Sequence, residues 1–390
     1  MDNNIFIINN VNIVIPDGVI ESGSVVIEEG VIKDIFKKRI NLNNRINGNN
    51  CYLLPGLVDI HGDSLERAIA PRSGVLFPLD ISMTEFDRDL STHGITTIYY
   101  CVAFAELGKS TRPLRFREKA LDLVKKINEN KNKFFLRTFI HLRYEILDTG
   151  SIPIINELIE NDEIDFFSLM DHTPGYGVFK DLEKYKKYFM MSGLSPEDAV
   201  KEYEEKIEMK KKVDMTKILD LVNKSRNNGI PVASHDAHDE EKVEWAVKNN
   251  ISISEFPVTE EAVLSARKNN LYTVFGSANL VRGGSHVGNL STSDMIKNKM
   301  ADIICSDYSP MSMLHALYIA YMQNSYKLNE IVNLFTLHPA RAAGIDNAVG
   351  SIEIGKIADM ILVNFNEKTP RVNISFVDGE IRYSSIDYRY

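Results

Sequence analysis

Leu53–Asp63, LLPGLVDIHGD, runs from an apolar segment through Pro55-Gly56 into a short strand-like run that ends in His61 and Asp63. Side chains two apart on a strand point the same way, so an imidazole and a carboxylate converge on one side, as a divalent metal site requires. The stretch therefore points to metal-dependent hydrolysis at the end of a buried strand. Taken alone, His-x-Asp is equally a strand end with two polar side chains in solvent, and the rest of the chain has to decide.

Outward from this stretch, apolar runs alternate with charged helical patterns. GLVDIHGD, TTIYYCVAF, FFLRTFIHL, DFFSLMDH, PVASHD, ISISEF, YTVFGSA and ADIICSD make eight candidate strands. Helical periodicity covers Arg115–Asn128, Pro196–Asn227, Asp239–Asn249 and Glu260–Lys268 between them. Eight β/α units over roughly 290 residues fit an α/β fold of the (β/α)8 TIM-like barrel type, with its active site at the C-terminal strand ends. The Lys- and Glu-rich segment from Glu183 to Arg226 reads as an outer helical insertion whose charges face solvent.

Both ends of the chain read as small antiparallel sheets. From Ile5 to Ile35 short β-branched runs are punctuated by Pro16-Asp17-Gly18, Glu21-Ser22-Gly23 and Glu29-Gly30 as turn signals. Gly350–Phe365 and Arg371–Tyr383 behave alike, with Asp378-Gly379 as a hairpin turn. The expectation is a discontinuous small β-sandwich domain, residues 1–50 and 347–390, around a barrel of residues 51–346.

At 390 residues and 44% hydrophobic the chain can bury a large core. A net charge of −9 argues against a dedicated nucleic-acid or membrane-surface binder, although local basic clusters can still hold an anionic small molecule. Cys51, Cys101 and Cys305 are widely spaced and form no C-x-x-C pair, so neither a disulfide framework nor a zinc knuckle is indicated, and a reducing cytoplasm fits best. The N-terminus, MDNNIFIINN, lacks the pattern of a signal peptide, and no apolar run reaches the roughly 18 residues of a membrane helix.

Metal-competent side chains recur where the barrel strands should end. His61 and Asp63 close the first run, His141 and Glu145 follow the third, Asp171 and His172 the fourth, His235 and Asp236 the fifth, Glu255 the sixth and Asp307 the eighth. Packing does not explain so many, because burying an unpaired charge is costly.

PGLVDIHGD, with a terminal sheet closing through IGKIADMILVN, resembles the amidohydrolase superfamily, metal-dependent hydrolases on a barrel with a split β-sandwich. Within it, HGDSLERAIAPRSGV, FIHLRYEI, LMDHTPGYG, SHDAHDEE, EFPVTEEA, GSANLVRGGSHVGN and CSDYSPMSML resemble the diphosphatases of phosphonate metabolism. Most of the superfamily carries His-x-His on the first strand. His-x-Asp adds negative charge to the ligand set and favours a hard ion or a pair of ions. The fourth run ends without a lysine, so a carbamylated lysine bridge is not expected and Glu145 is the candidate bridge.

The resemblance implies hydrolysis of α-D-ribose 1-methylphosphonate 5-triphosphate to the 5-phosphate and pyrophosphate. It implies one or two divalent ions, zinc first, with manganese, iron or magnesium as alternatives. The ligands expected are His61, Asp63, Glu145, His172, His235 and Asp307, with Asp307 also accepting a proton from water and Asp236 and Glu255 orienting imidazoles from behind. Arg67, Arg72, Arg143, Arg282 and His286 are expected to bind the anionic phosphorylated sugar, the last two from a Gly-rich loop that can cradle phosphate. A homodimer and association with other phosphonate-pathway proteins are superfamily-level expectations, without nucleic acid or membrane.

Plainer readings stand beside these. Glu145 can pair with Arg143, His172 can cap the turn at Pro174-Gly175, and the arginines can form surface salt bridges. His93 reads as a helix C-cap, His238 as solvent-facing, and His315 and His338 as satisfied core histidines. A cyclic amide or N-acyl hydrolase on the same scaffold, and a non-catalytic scaffold protein, remain alternatives.

Overall fold

The computed structural model describes residues 5–40, 45–107, 112–175, 185, 195–284, 290–323, 326–365 and 369–386. Its strands in chain order are β1 (Ile5–Ile15), β2 (Gly18–Glu28), β3 (Val31–Phe36), β4 (Arg45–Asn47), β5 (Tyr52–Pro55), β6 (Leu57–Gly62), β7 (Ile95–Phe104) and β8 (Arg137–Glu145). They continue with β9 (Phe166–Met170), β10 (Val232–His235), β11 (Ile253–Glu255), β12 (Tyr272–Gly276), β13 (Ile303–Cys305), β14 (Met360–Asn364), β15 (Arg371–Val377) and β16 (Glu380–Ser384). The expected fold class holds: a parallel barrel, and a smaller β-unit made from both ends of the chain.

The terminal strands pair in the order β16-β15-β14-β5-β1-β2-β3, with β4 alongside β1. Ile8, Val25, Leu53, Met360 and Phe376 give this unit its own fully buried core. Asp378 and Gly379, at φ 54° and 71°, make the tight turn between β15 and β16 that the strand twist favours. Glu21-Ser22-Gly23, by contrast, is no turn. β2 continues through it with a shifted register against β1 and Ser22 at φ 49°, so the turn chemistry is used as a bulge.

β5 corrects the boundary expected at residue 50, because Tyr52–Pro55 pairs with β14 and β1 and so belongs to the terminal sheet. The chain changes sheets at Gly56, whose N–H donates to the Asp359 carbonyl at 2.9 Å. A Cβ there would lie 2.0 Å from Thr96 Oγ1, so only glycine lets the backbone cross.

β6 to β13 form the barrel in sequence order, all parallel. Parallel strands are covered on both faces, which is why they read as continuous apolar runs; all ten residues of β7 are buried. Val58, Ile60, Tyr99, Phe166, Ala233, Ile253, Val274 and Ile303 belong to one buried cluster contributed by seven of the strands, β6, β7 and β9 to β13. First and last strands meet through Asp63 N–H to the Asp307 carbonyl (2.8 Å) and Asp307 N–H to the His61 carbonyl (3.1 Å). Buried Asp59 adds a side-chain tie, its Oδ1 accepting from the N–H groups of His61 (3.2 Å) and Ser306 (3.0 Å).

Helical periodicity over Pro196–Asn227 resolves into two helices, Pro196–Lys210 and Met215–Asn227. Asp214 breaks it, accepting from Thr216 N–H at 3.0 Å as the N-cap of the second. That second helix buries Ile218, Leu221 and Val222 in the main core, so it is a barrel helix and not part of an insertion. Of the segment between Glu183 and Ser195, only Tyr185 and Ser195 are among the described residues. Among the described residues no helix is long and apolar enough to cross a membrane.

Candidate active site at the barrel strand ends

Glu255, fully buried at the end of β11, organises the histidines around it. Its Oε1 lies 3.0 Å from His61 Nδ1 and its Oε2 lies 3.3 Å from His235 Nδ1. Burial pushes this carboxyl up, but His61, His141 and His235 outweigh it and hold Glu255 well below the usual range. With both Nδ1 atoms engaged, each Nε2 is turned elsewhere. His61 Nε2 is buried with no hydrogen-bond partner. His235 Nε2 lies 3.4 Å from Arg143 Nη2 and 3.7 Å from Asp236 Oδ1. The two rings stack at 5.6 Å, and Phe256 stands edge-on to both, at 4.9 and 5.3 Å.

Beside them, His172 Nδ1 lies 2.7 Å from Glu145 Oε2, and its Nε2 lies 3.7 Å from Asp236 Oδ2. His172, His235 and Asp236 each bring a donor atom within 4.8 Å of the others. The same holds for His61, His235 and Glu255, and for His61, Cys101 and His141. Asp63 takes a 2.8 Å ion pair from buried Arg143. Burial opposes charge on both, yet Arg143 keeps the Asp63 carboxyl well below its usual range and Asp63 keeps the guanidinium firmly protonated. Asp307 goes the other way: burial, then the charges of Asp63 and Asp236, push its carboxyl up to about 6 against His61 and Arg143.

Three residues with left-handed backbone lie at the same place. Asp236, Phe256 and Asp307, just past the ends of β10, β11 and β13, sit at φ 53°, 50° and 56°. Each such conformation costs a non-glycine residue about 1–3 kcal/mol and tends to cluster at functional sites. The strain turns the chain sharply where each strand leaves the barrel.

The structure thus gathers His61, Asp63, Glu145, His172, His235 and Asp307 around one barrel mouth. Asp236, expected behind an imidazole, instead stands between the Nε2 atoms of His172 and His235. Glu145 pairs with His172 and not with Arg143, which is buried against Asp63 rather than on a surface salt bridge. Arg67 and Arg282 are exposed at the rim and both contact Tyr308. Arg72 is exposed in the loop after the helix Leu65–Ile69, bridged to Val75, and His286 lies outside the described residues.

His93 caps the C-terminus of the helix Leu79–Thr92 as expected. His238 is buried and not solvent-facing, its Nε2 3.0 Å from Asp239. Half-buried His338 is satisfied by the Asp302 carbonyl at 2.9 Å. Two buried groups stand at the site without a role expected from the sequence, although His141 was noted at the end of the third run. His141 Nδ1 lies 2.8 Å from the Ile60 carbonyl and its Nε2 2.9 Å from Ser168 Oγ, and burial lowers its pKa to about 3. Cys101, paired with it across β7 and β8, places Sγ 3.7 Å from its Nδ1. The signal for His141 was available: His141, Arg143 and Glu145 alternate along β8 with the period of one strand face. From the helix Pro196–Lys210, Lys210 reaches Asp171 at 2.6 Å, so part of the Lys-rich run returns to the barrel mouth.

Comparison with known proteins agrees with this architecture. Residues 92–383 match the amidohydrolase family. The chain is 31% identical, over 92% of its length and 95% of the relative's, to the alpha-D-ribose 1-methylphosphonate 5-triphosphate diphosphatase of Escherichia coli (strain K12). Among solved structures it is similar to the N-acetylglucosamine-6-phosphate deacetylase of Pasteurella multocida, with TM-score 0.64 at 15% identity over 97% of this chain and 99% of that one. It is also similar to a Xaa-Pro dipeptidase, with TM-score 0.64 at 17% identity over 98% and 100%. At these identities the structural likeness speaks for the fold alone.

Proposed function

The chain belongs to the amidohydrolase family, and from that premise we propose that it hydrolyses α-D-ribose 1-methylphosphonate 5-triphosphate to α-D-ribose 1-methylphosphonate 5-phosphate and pyrophosphate, a step of carbon–phosphorus lyase phosphonate catabolism. The observation that carries this reading is the likeness to the Escherichia coli diphosphatase along nearly the whole of both chains. The barrel that runs from β6 to residue 346 carries the chemistry, and the terminal unit, residues 1–55 and 347–390, braces it.

The donor set fits a divalent ion: nitrogen and oxygen atoms within 4.8 Å of one another, and a buried imidazole nitrogen, His61 Nε2, without a partner. His172, His235 and Asp236 would hold one ion, with His61, Asp63, Glu145 and Asp307 available to a second, and zinc suits these donors best. A divalent ion held there supplies water activation at neutral pH and neutralises phosphate charge.

The protein does the rest. The Asp307 carboxylate accepts a proton from the attacking water, whose oxygen forms a bond to the α-phosphorus. The bridging P–O bond breaks and pyrophosphate leaves with the electron pair. Arg67, Arg72, Arg282 and His286 bind phosphate oxygens, and Arg143, kept charged by Asp63, adds positive potential from below. Glu255 and Phe256 hold the imidazoles in place. The buried free thiols Cys51, Cys101 and Cys305 suit a reducing cytoplasm.

The test is a release assay with metal-loaded protein on the ribosyl 5-triphosphate beside hydantoin, dihydropyrimidine and N-acyl compounds. Pyrophosphate from the triphosphate alone is expected; turnover of an amide with none of the triphosphate overturns the reading.

A further inference from the structure

Arg67 and Arg282 come from different elements, the helix Leu65–Ile69 after β6 and the helix Ser277–Arg282 after β12. Exposed arginines ordinarily settle on a carboxylate, and two guanidinium groups brought together without an anion repel. Among the described residues neither has a carboxylate partner, and both settle on one side chain. Arg67 lies over the Tyr308 ring, 5.5 Å from its centroid, and Arg282 Nη1 donates to Tyr308 Oη at 3.3 Å. Tyr308 directly follows Asp307, which turns out of β13 at φ 56°.

We propose that Tyr308 is a positioning residue that sets Arg67 and Arg282 side by side as a receptor for two adjacent phosphate groups, those of the departing pyrophosphate. The ring supports one guanidinium by its face and leaves the N–H edges of Arg67 directed outward. The hydroxyl takes a single N–H of Arg282 and leaves four of its five donors for phosphate oxygens. Tyr308 is the next residue after the carboxylate that accepts the water proton. A pyrophosphate held at Tyr308 therefore brings the scissile bond towards Asp307, with positive charge already in place where negative charge develops. The identity of the anion rests on the diphosphatase reading; the receptor itself rests on the geometry.

The experiment measures binding of inorganic pyrophosphate to metal-loaded wild type, Tyr308→Phe and Tyr308→Leu by calorimetry, with steady-state kinetics on the triphosphate. Tyr308→Phe keeps the ring and loses one hydrogen bond, so pyrophosphate affinity should fall about fivefold. Tyr308→Leu loses both supports and should cost about 30-fold or more, appearing mainly in KM, while metal content stays at the wild-type level. Arg282→Lys, which keeps charge without the fork, should behave like the leucine variant. Equal pyrophosphate affinity in wild type and Tyr308→Phe, or none in wild type, overturns the inference even if pyrophosphate release is intact. Tyr308-dependent pyrophosphate binding without triphosphate hydrolysis supports the receptor and removes only the diphosphatase reading.

Discussion

Both oxygens of Glu255 are committed to imidazole Nδ1 atoms, so this one side chain decides which way two candidate metal ligands face. Glu255→Gln replaces an acceptor by a donor at one of those contacts, and metal affinity should drop about 10- to 100-fold in chelator competition. Unchanged affinity would mean that the imidazoles are held by packing alone. Asp307→Asn should lower kcat by about 10²–10⁴ with the circular dichroism spectrum retained, and near-wild-type turnover would remove Asp307 as proton acceptor. At this scale the sequence was most legible where the chemistry is local: His61, His172, His235 and Asp307 stand at strand ends in any barrel threading. It was least legible for Asp236, His141 and Tyr308, whose roles depend in part on neighbours distant along the chain, such as His172 and Arg67.

Gly56 marks the point where the chain leaves the terminal sheet for the barrel, and its lack of a side chain is a steric necessity against Thr96. Gly56→Ala should destabilise the protein by about 1–3 kcal/mol or more in chemical denaturation, and adding Thr96→Gly should recover part of the loss. An equal midpoint for Gly56→Ala would show that the crossing has slack. Asp87, on the helix Leu79–Thr92, accepts the N–H groups of Phe135 (2.6 Å) and Leu136 (3.1 Å) ahead of β8. Burial raises its carboxyl to about 6 despite these donors. The folded state therefore binds this proton more tightly than the unfolded chain, and the contribution of Asp87 to stability falls as pH rises from about 4 to 6. Relative to Asp87→Asn, wild type should lose up to about 3 kcal/mol across that window, and parallel pH–stability curves would contradict it. All eight barrel strands were readable as elements because buried parallel strands must be continuous apolar runs. The assignment of β5 to the terminal sheet and the break at Asp214 were not, since strand pairing is non-local and a cap overrides helical periodicity.

Across the whole molecule, the barrel closes through the same residues that line its mouth, His61, Asp63 and Asp307, so fold and site share their first and last strands. Metal binding to this seam should stabilise the folded state by about 4 kcal/mol at a thousandfold excess over Kd, and chelation should lower the melting temperature. A melting temperature indifferent to chelator would separate the metal from the seam. The fold was legible because its period repeats eight times. The choice of reaction was legible only through the set of motifs at the strand ends, since solved structures of similar fold include a deacetylase and a dipeptidase. Attack of water on the α-phosphorus, with pyrophosphate leaving intact, is tested by turnover in oxygen-18 water with mass analysis of both products. Label is expected in the ribosyl 5-phosphate and none in pyrophosphate; label in pyrophosphate, or no pyrophosphate at all, would overturn this mechanism.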